Sequence, residues 1–88
     1  KVIPEEIRKI LLESGIVQDA VVYGKKNPFI GNLIYADVKL KKSKNNYNSK
    51  KKFKKFINDN LPNNQRPKII NFMKSVIIDH SGKARIRW

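Results

Sequence analysis

The stretch Leu33-Ile34-Tyr35-Ala36-Asp37-Val38-Lys39-Leu40 alternates between apolar and polar side chains along most of its length. Successive side chains of a strand point to opposite faces of a sheet, so its even-numbered residues share one apolar face. Tyr35, Asp37 and Lys39 share the other face. The pattern predicts a half-buried strand, antiparallel to a second strand predicted from the β-branched segment Ile16–Tyr23.

The residues between these two strands are typical of a loop. Gly24-Lys25-Lys26-Asn27-Pro28 combines glycine, proline and asparagine, the residues that most often interrupt regular structure. We expect the loop to extend from there through Gly31-Asn32.

A first helix is predicted ahead of the strands. Ile3-Pro4-Glu5-Glu6 is a helix start, because proline is favoured at the first helical position and carboxylates in the first turn complement the helix dipole. Apolar residues at helical spacing predict a helix over about Pro4–Ser14, and Gly15 supplies its stop.

A second helix is predicted behind the strands. The segment Lys41–Lys52 is almost wholly Lys, Asn and Ser, which is typical of a solvated loop. Apolar residues then recur at helical spacing and predict an amphipathic helix over about Ser49–Asn60 that Pro62 closes. They are Phe53, Phe56, Ile57 and Leu61.

The remaining residues predict a third strand at Lys68–Met73, a short extended piece at Val76–Ile78 and a turn at His80–Lys83. Ala84–Trp88 is too short to assign. The order is helix, strand, strand, helix, strand. Helices on one face of a small sheet bury both amphipathic stripes, so we expect an α+β two-layer sandwich with a three-stranded sheet.

Composition bounds the class of protein. The 88 residues fit one small domain, residues 1–88. There is no cysteine, which excludes disulfides and cysteine-bound zinc. No apolar run reaches the roughly 18 residues of a membrane span, and no secretory signal is visible. We therefore expect a cytoplasmic, monomeric domain without membrane contact. Because the chain opens without Met, we expect it to be a fragment of a longer one.

The net charge of +13 invites a nucleic-acid interpretation. Nine of the 20 basic residues lie between Lys39 and Lys55, and Tyr47 and Phe53 in that region could stack on bases. Two observations weigh against nucleic-acid binding. Phe53 shares a helical face with Phe56 and Ile57, which indicates a core residue. The abundance of Lys, Asn and Ile is what an AT-rich genome encodes at weakly constrained positions.

No complete catalytic set is present. His80 is the only histidine, which excludes a histidine metal cluster, so no metal site is expected. Ser81 next to His80 is not a nucleophile–base pair, because no acid is placed to orient the imidazole. Gly82-Lys83 resembles the end of a phosphate-binding loop, but position 77 is Ile where that motif needs Gly.

Five short segments in order along the chain carry a more specific resemblance. They are Val2-x-Pro4-x-Glu6-Ile7, Val17-x-Asp19-Ala20-Val21-Val22-x-Gly24, Gly31…Ala36-x-Val38, Pro67-Lys68…Phe72 and Ser81-Gly82-Lys83-x-Arg85. Together they resemble the carboxy-terminal lid domain of the AMP-binding, acyl-adenylate-forming superfamily, which includes acyl-CoA synthetases, peptide-synthetase adenylation domains and luciferases. The resemblance covers essentially the whole chain.

The resemblance implies part of an ATP-dependent, AMP-forming acid–thiol ligase. In that family a large amino-terminal domain binds ATP, Mg²⁺ and the carboxylic acid, and the small domain rotates between two half-reactions. The first forms acyl-AMP and pyrophosphate, and in the second a thiol of CoA or pantetheine displaces AMP. The partner implied is therefore the missing amino-terminal adenylation domain. Alone, this domain is expected to be inactive and to hold no cofactor.

The resemblance also implies a site. Lys83 matches the lysine that enters the active site for adenylation, and Ser81 and Gly82 match the residues before it, which we assign more weakly to nucleotide contact. Two positions depart from the family pattern. Ile77-Ile78-Asp79 stands where Pro-x-Thr is usual, and Asn32 stands where Glu is frequent. The hinge is expected before Lys1. A small nucleic-acid-binding module and a free-standing regulatory lid remain as rival hypotheses.

Overall fold

The computed structural model describes residues 2–74 throughout, and the backbone of residues 76–78 and 84–86. Two helices and five strands follow one another, with 3₁₀ turns at Lys42–Lys44 and Asn63–Gln65. They are α1 (Pro4–Leu12), β1 (Val17–Asn27), β2 (Gly31–Leu40), α2 (Tyr47–Asn60), β3 (Ile69–Phe72), β4 (Val76–Ile78) and β5 (Ala84–Ile86). The predicted α+β class, with its three-stranded sheet and its order of helix, strand, strand, helix, strand, is confirmed.

The main sheet has the strand order β1-β2-β3 and is mixed. β1 and β2 pair antiparallel as predicted, from Val17 opposite Leu40 to Asn27 opposite Gly31. β3 pairs parallel to β2, with Tyr35 opposite Ile69. A parallel neighbour needs a crossover connection, and α2 provides it. β4 and β5 form a separate antiparallel pair.

The core lies between the main sheet and the two helices. The apolar face predicted for β2 supplies Ala36, Val38 and Leu40, and α2 supplies Phe53, which is 0% exposed. The Phe53 ring meets Phe72 of β3 edge to face, with ring centroids 6.4 Å apart. Burial of this apolar surface is the main force that holds the two layers together.

The loop between β1 and β2 is shorter than predicted. Gly24–Asn27 belongs to β1, Gly31 and Asn32 belong to β2, and only residues 28–30 make the turn. The Asn27 side chain closes this turn, because its Oδ1 accepts from the backbone N–H of Phe29 at 2.9 Å and of Ile30 at 3.1 Å. Gly31 has φ +95°, an angle that glycine adopts without steric cost.

The segment Lys41–Lys52, predicted as a loop, is largely regular. It contains the 3₁₀ turn Lys42–Lys44, and α2 begins at Tyr47, two residues before the predicted start. The Asn46 side chain accepts from the Ser49 backbone N–H at 2.8 Å. This N-cap provides an acceptor for one of the four backbone N–H groups that have no partner within the first turn of a helix. The lysines lie on the exposed side of the helix.

The other helix and strand boundaries differ by one or two residues. α1 ends at Leu12 instead of Ser14, and Gly15 follows with φ +73°, as its predicted role in stopping the helix requires. β5 occupies part of Ala84–Trp88, for which the sequence predicts no element. β5 is defined by its pairing with β4, and a strand of three residues is too short to show an alternation of its own.

Candidate functional site

The predicted site residues Ser81, Gly82 and Lys83 lie outside the described residues, as do His80 and Asp79. Their flanking strands are described. β4 and β5 pair antiparallel, and Ile78 lies opposite Ala84. The predicted site therefore belongs to the short connection between two paired strands, and its two ends are held together by the backbone pairing of β4 with β5.

The position of this strand pair is set by the main sheet. β4 contacts β1 and β2, and β5 contacts β1. Just before β4, the Met73 backbone N–H donates to the Val38 carbonyl at 2.8 Å. This bond extends the parallel pairing of β2 with β3 and directs the chain toward β4. The main sheet thus supports the strand pair that flanks the predicted site.

Asp37 departs from the sequence prediction. The alternation predicts Asp37 on the outer, half-exposed face of β2, but its exposed fraction is 0%. Val21, which lies opposite Asp37 on β1, is also buried. We attribute this burial to the β4–β5 pair, because β4 contacts both β1 and β2, and β5 contacts β1. A strand's own pattern does not reveal that its polar face will be covered.

The buried carboxylate is held from one side. Asp37 Oδ1 accepts a hydrogen bond from Asn71 Nδ2 of β3 at 2.8 Å. No donor of a described residue meets the hydrogen-bond geometry at Oδ2, although the Tyr23 phenol is near enough for its pKa to respond to Asp37. A buried carboxylate requires compensation by donors or cations. The Asp37–Asn71 hydrogen bond links β2 to β3 through their side chains.

Tyr23 lies on the same face of the sheet. Its ring stacks on Tyr35 of β2 with centroids 5.5 Å apart. Burial of the phenol, followed by the negative charge of Asp37, raises the pKa of Tyr23 to about 12. Both causes disfavour the phenolate. A phenol is already protonated at neutral pH, and the raised pKa moves Tyr23 further from ionising, so it is no candidate for a general base.

The residues of the family-like segments serve the fold. Arg8 of α1 donates from Nε to the Ala20 carbonyl at 2.7 Å, and its terminal nitrogen lies 3.1 Å from Asp19 Oδ1. The same Asp19 oxygen accepts from the Ala20 N–H at 2.8 Å. Asp19 therefore orients Arg8, which binds α1 to β1. Gly24 adopts no positive φ and has open space around it, so no steric demand explains it.

The Pro67-Lys68 segment joins α2 to β3. Pro67 is buried, and the Lys68 N–H donates to the Ile34 carbonyl at 2.9 Å. Arg66 just before it donates to the carbonyls of Leu61 and Asn58 at 2.7 and 2.9 Å. These bonds satisfy carbonyl groups at the end of α2. The segment fixes the point at which β3 enters the sheet.

The basic region offers little to a nucleic-acid base. Phe53 is fully buried, as predicted for a core residue, while Tyr47 is 76% exposed. One exposed aromatic ring is a weak stacking platform. The lysines of this region are mostly exposed, and some of them surround a cavity that no sequence pattern predicts.

Two further features of the described residues bear on function. Within residues 2–74 and the two short strands, no three His, Cys, Asp or Glu side chains are grouped so that they could hold a metal ion. Neither described helix is long and apolar enough to cross a membrane.

Solved structures resemble this chain over most of its length. A benzoate CoA ligase from Burkholderia xenovorans LB400 has 25% identity and a TM-score of 0.74, covering 91% of this chain and 16% of its own. A fatty acyl CoA synthetase from Mycobacterium tuberculosis has 20% identity and a TM-score of 0.73, covering 93% and 16%. An amide bond synthetase from Marinactinospora thermotolerans has 22% identity and a TM-score of 0.75, also covering 93% and 16%.

This chain thus spans about a sixth of the length of the solved proteins it resembles, 16% in each of these three cases. A comparison with curated proteins finds no significant match. The model of the AMP-binding enzyme C-terminal domain matches residues 6–83, which is nearly the whole chain and includes Lys83. The fold, the order of the five segments and this match agree, and the chain belongs to the family of AMP-binding enzyme C-terminal domains.

Proposed function

We propose that residues 1–88 are the carboxy-terminal lid domain of a longer AMP-forming acid–thiol ligase, similar to an acyl-CoA synthetase. The observation that carries the proposal is the family match, which runs from residue 6 to residue 83 and so ends on Lys83. The small share of each related structure that the chain covers, 16% for the benzoate CoA ligase, supports a larger partner domain. We place the reaction in the cytoplasm.

The proposed role of Lys83 belongs to the first half-reaction. A carboxylate attacks the α-phosphorus of ATP, the bond to the β-phosphate breaks, and acyl-AMP and pyrophosphate form. Negative charge accumulates on the oxygens around the α-phosphorus, where water is excluded, and a preorganised cation stabilises that charge. An ammonium on a flexible stem is suited to reaching the site from a moving domain. We assign this role to the Lys83 ammonium.

Ser81 and Gly82 are proposed to shape the approach of Lys83. Glycine permits backbone angles that a β-carbon forbids, and the serine hydroxyl can donate a hydrogen bond to a phosphate oxygen. The strands β4 and β5 bracket these residues on both sides. Movement of the whole domain would deliver or withdraw Lys83 while the main sheet stays intact and the residues between β4 and β5 keep their arrangement.

In the second half-reaction the domain rotates and a thiol of CoA or of a carrier-protein pantetheine displaces AMP. The thiolate attacks the acyl carbon, the bond to the phosphate oxygen breaks, and a thioester forms. The benzoate CoA ligase among the related structures supports CoA as the acceptor. The acid is bound outside this chain, so its identity depends on the partner domain.

ATP and Mg²⁺ are proposed to bind the missing amino-terminal domain. Mg²⁺ prefers several oxygen ligands, from carboxylates and phosphates, and the described residues of this chain offer no such cluster. The 88-residue chain alone is therefore expected neither to adenylate a carboxylic acid nor to hold ATP in an adenylation site.

Carboxylate-dependent exchange of labelled pyrophosphate into ATP tests this proposal. The parent polypeptide that ends in this domain is expected to catalyse exchange with at least one acid of a panel, and the 88-residue chain alone is not. The parent polypeptide cut before Lys1 serves as the control, and its exchange should fall sharply. Exchange by the 88-residue chain alone, or an unchanged rate after its removal, would refute the assignment.

A further inference from the structure

A lysine-lined cavity lies where β2 and β3 end, beside the start of α2. Its volume is about 380 Å³, and it is bordered by Lys39, Lys42, Lys50, Lys74, Phe72 and Met73. We call this cavity the lysine cavity. It takes its residues from separate parts of the chain, which the parallel pairing of β3 with β2 brings to one end of the sheet. No local sequence pattern could have predicted it.

The lining of the lysine cavity carries four positive charges and no negative one. Among the described residues, none of these four lysines forms an ion pair with a carboxylate. The Lys50 ammonium lies 5.0 Å from the centroid of the Phe72 ring, an arrangement that favours one position over free movement in solvent. Like charges gathered around one concavity raise its potential and attract anions.

We propose that the lysine cavity binds a small molecule with several phosphate groups. Lysine ammoniums bind phosphate oxygens through charge-assisted hydrogen bonds, and four of them match a ligand with three or four negative charges. The cavity volume of about 380 Å³ lies within the range of small-molecule sites. The apolar Phe72 and Met73 surfaces offer a contact for an uncharged part of the ligand.

The lysine cavity is lined by none of the residues to which we assign adenylation. None of the four lysines is Lys83, and the proposed function assigns them no role. An acidic peptide or a single-stranded nucleic acid is a weaker fit, because either would also engage the exposed lysines of α2 outside the cavity. That difference is the basis of the test.

Binding of inorganic triphosphate to the 88-residue chain can be followed by calorimetry and by backbone amide shifts. The test variant is Lys39→Gln, Lys42→Gln, Lys50→Gln and Lys74→Gln combined. The matched control is Lys9→Gln, Lys26→Gln, Lys51→Gln and Lys52→Gln, which removes the same charge from exposed lysines that do not line the cavity. Circular dichroism confirms that both variants are folded.

We expect the cavity variant to bind triphosphate at least about tenfold more weakly, and the control variant to lose less than about threefold in affinity. The reason is that lysines within hydrogen-bond distance of a phosphate bind it directly, whereas salt screens the attraction from exposed lysines farther away. Amide shifts should concentrate at residues 39–45 and 72–74. Equal loss in both variants, or shifts spread along α2, would show general attraction to a basic chain and overturn the proposal.

Two further arms identify the source of the phosphates. Vesicles that contain phosphatidylinositol bisphosphate present the same chemistry on a lipid. If the unmodified chain sediments with these vesicles and only the cavity variant fails to do so, the site exists and its ligand is a lipid. If both variants lose sedimentation equally, the result counts against the site. The second additional ligand is oligothymidylate. If it binds more tightly than triphosphate, and both variants lose the same affinity for it, the basic surface binds nucleic acid and the proposal is overturned.

Discussion

The fold buries Asp37 completely and raises the pKa of the neighbouring Tyr23 phenol to about 12. They lie on one face of the sheet, where Tyr23 pairs with Tyr35 and Asp37 pairs with Val21. Burial and the Asp37 charge together make the Tyr23 phenol harder to ionise. Neither residue stands out in the sequence, because alternation identifies which residues share a face but not what lies over that face.

The raised pKa of Tyr23 predicts a loss of stability at high pH. The phenol ionises near pH 10.0 in the unfolded chain and near pH 12 in the folded one. Between these values the folded state binds more protons, so the free energy of unfolding falls as the pH rises. Urea denaturation at a series of pH values from about 9 to about 12 measures this fall in the free energy of unfolding.

Tyr23→Phe is the control for this prediction, since it keeps the ring and removes the ionisable group. The difference in unfolding free energy between the two proteins should widen in favour of Tyr23→Phe as the pH rises through this range. A constant difference across the range would show that the fold does not perturb Tyr23.

The helix α2 shows how one polar residue sets the limit of an element. The apolar stripe alone predicts its start at Ser49, whereas it begins at Tyr47 because Asn46 caps it. The Asn46 oxygen and the Ser49 N–H lie 2.8 Å apart. Apolar periodicity locates the body of a helix, and the cap, which is a single contact, decides its end.

Asn46→Ala is expected to lower the free energy of unfolding by about 0.5–2 kcal/mol, because the Ser49 N–H loses its acceptor. Urea denaturation measures the loss. Asn48→Ala is the control, since Asn48 is exposed and forms no cap, and its effect should stay within about 0.5 kcal/mol. Equal effects of the two substitutions would contradict the cap.

Phe53 joins α2 to the sheet, and its removal tests the core. It is 0% exposed and meets Phe72 edge to face. Phe53→Ala is expected to cost about 3–5 kcal/mol through lost burial and the cavity left behind. Because a domain of this size can unfold outright at that cost, Phe53→Leu provides a milder variant with a smaller loss.

Phe29 is the matched control for this prediction, because it is the same residue type and is 94% exposed. Phe29→Ala should change the free energy of unfolding by less than about 0.5 kcal/mol. A similar cost at both positions would show that Phe53 does not anchor the core. Thermal or urea unfolding distinguishes these results.

Local sequence signals account for α1, α2, β1, β2 and the approximate position of β3. Their periodicity, the proline at the start of α1 and the glycine after it are enough. The extended piece predicted at Val76–Ile78 is β4, whereas β5 is too short to show a pattern of its own. The parallel pairing of β3 with β2 and the lysine cavity depend on contacts between distant segments. The predicted site at Lys83 is identified by resemblance to a family, and it stays a prediction.

At the scale of the whole molecule, the main sheet and its helices form a base that carries β4 and β5 on one side. The chain covers 16% of the length of each related structure compared above, so the chemistry that we propose requires a second, larger domain. In the proposed function the domain moves as a unit that delivers Lys83 for one half-reaction and withdraws it for the other.

The most direct test measures the two half-reactions separately in the parent polypeptide with Lys83→Ala. Acyl-AMP formation is followed in a single turnover, and thioester formation is followed from supplied acyl-AMP and CoA, with Lys51→Ala as a control for loss of an exposed lysine. We predict that acyl-AMP formation falls by about 10²-fold or more, as for loss of a preorganised charge, while thioester formation is unchanged. Equal loss of both half-reactions, or loss of neither, would contradict the role of Lys83.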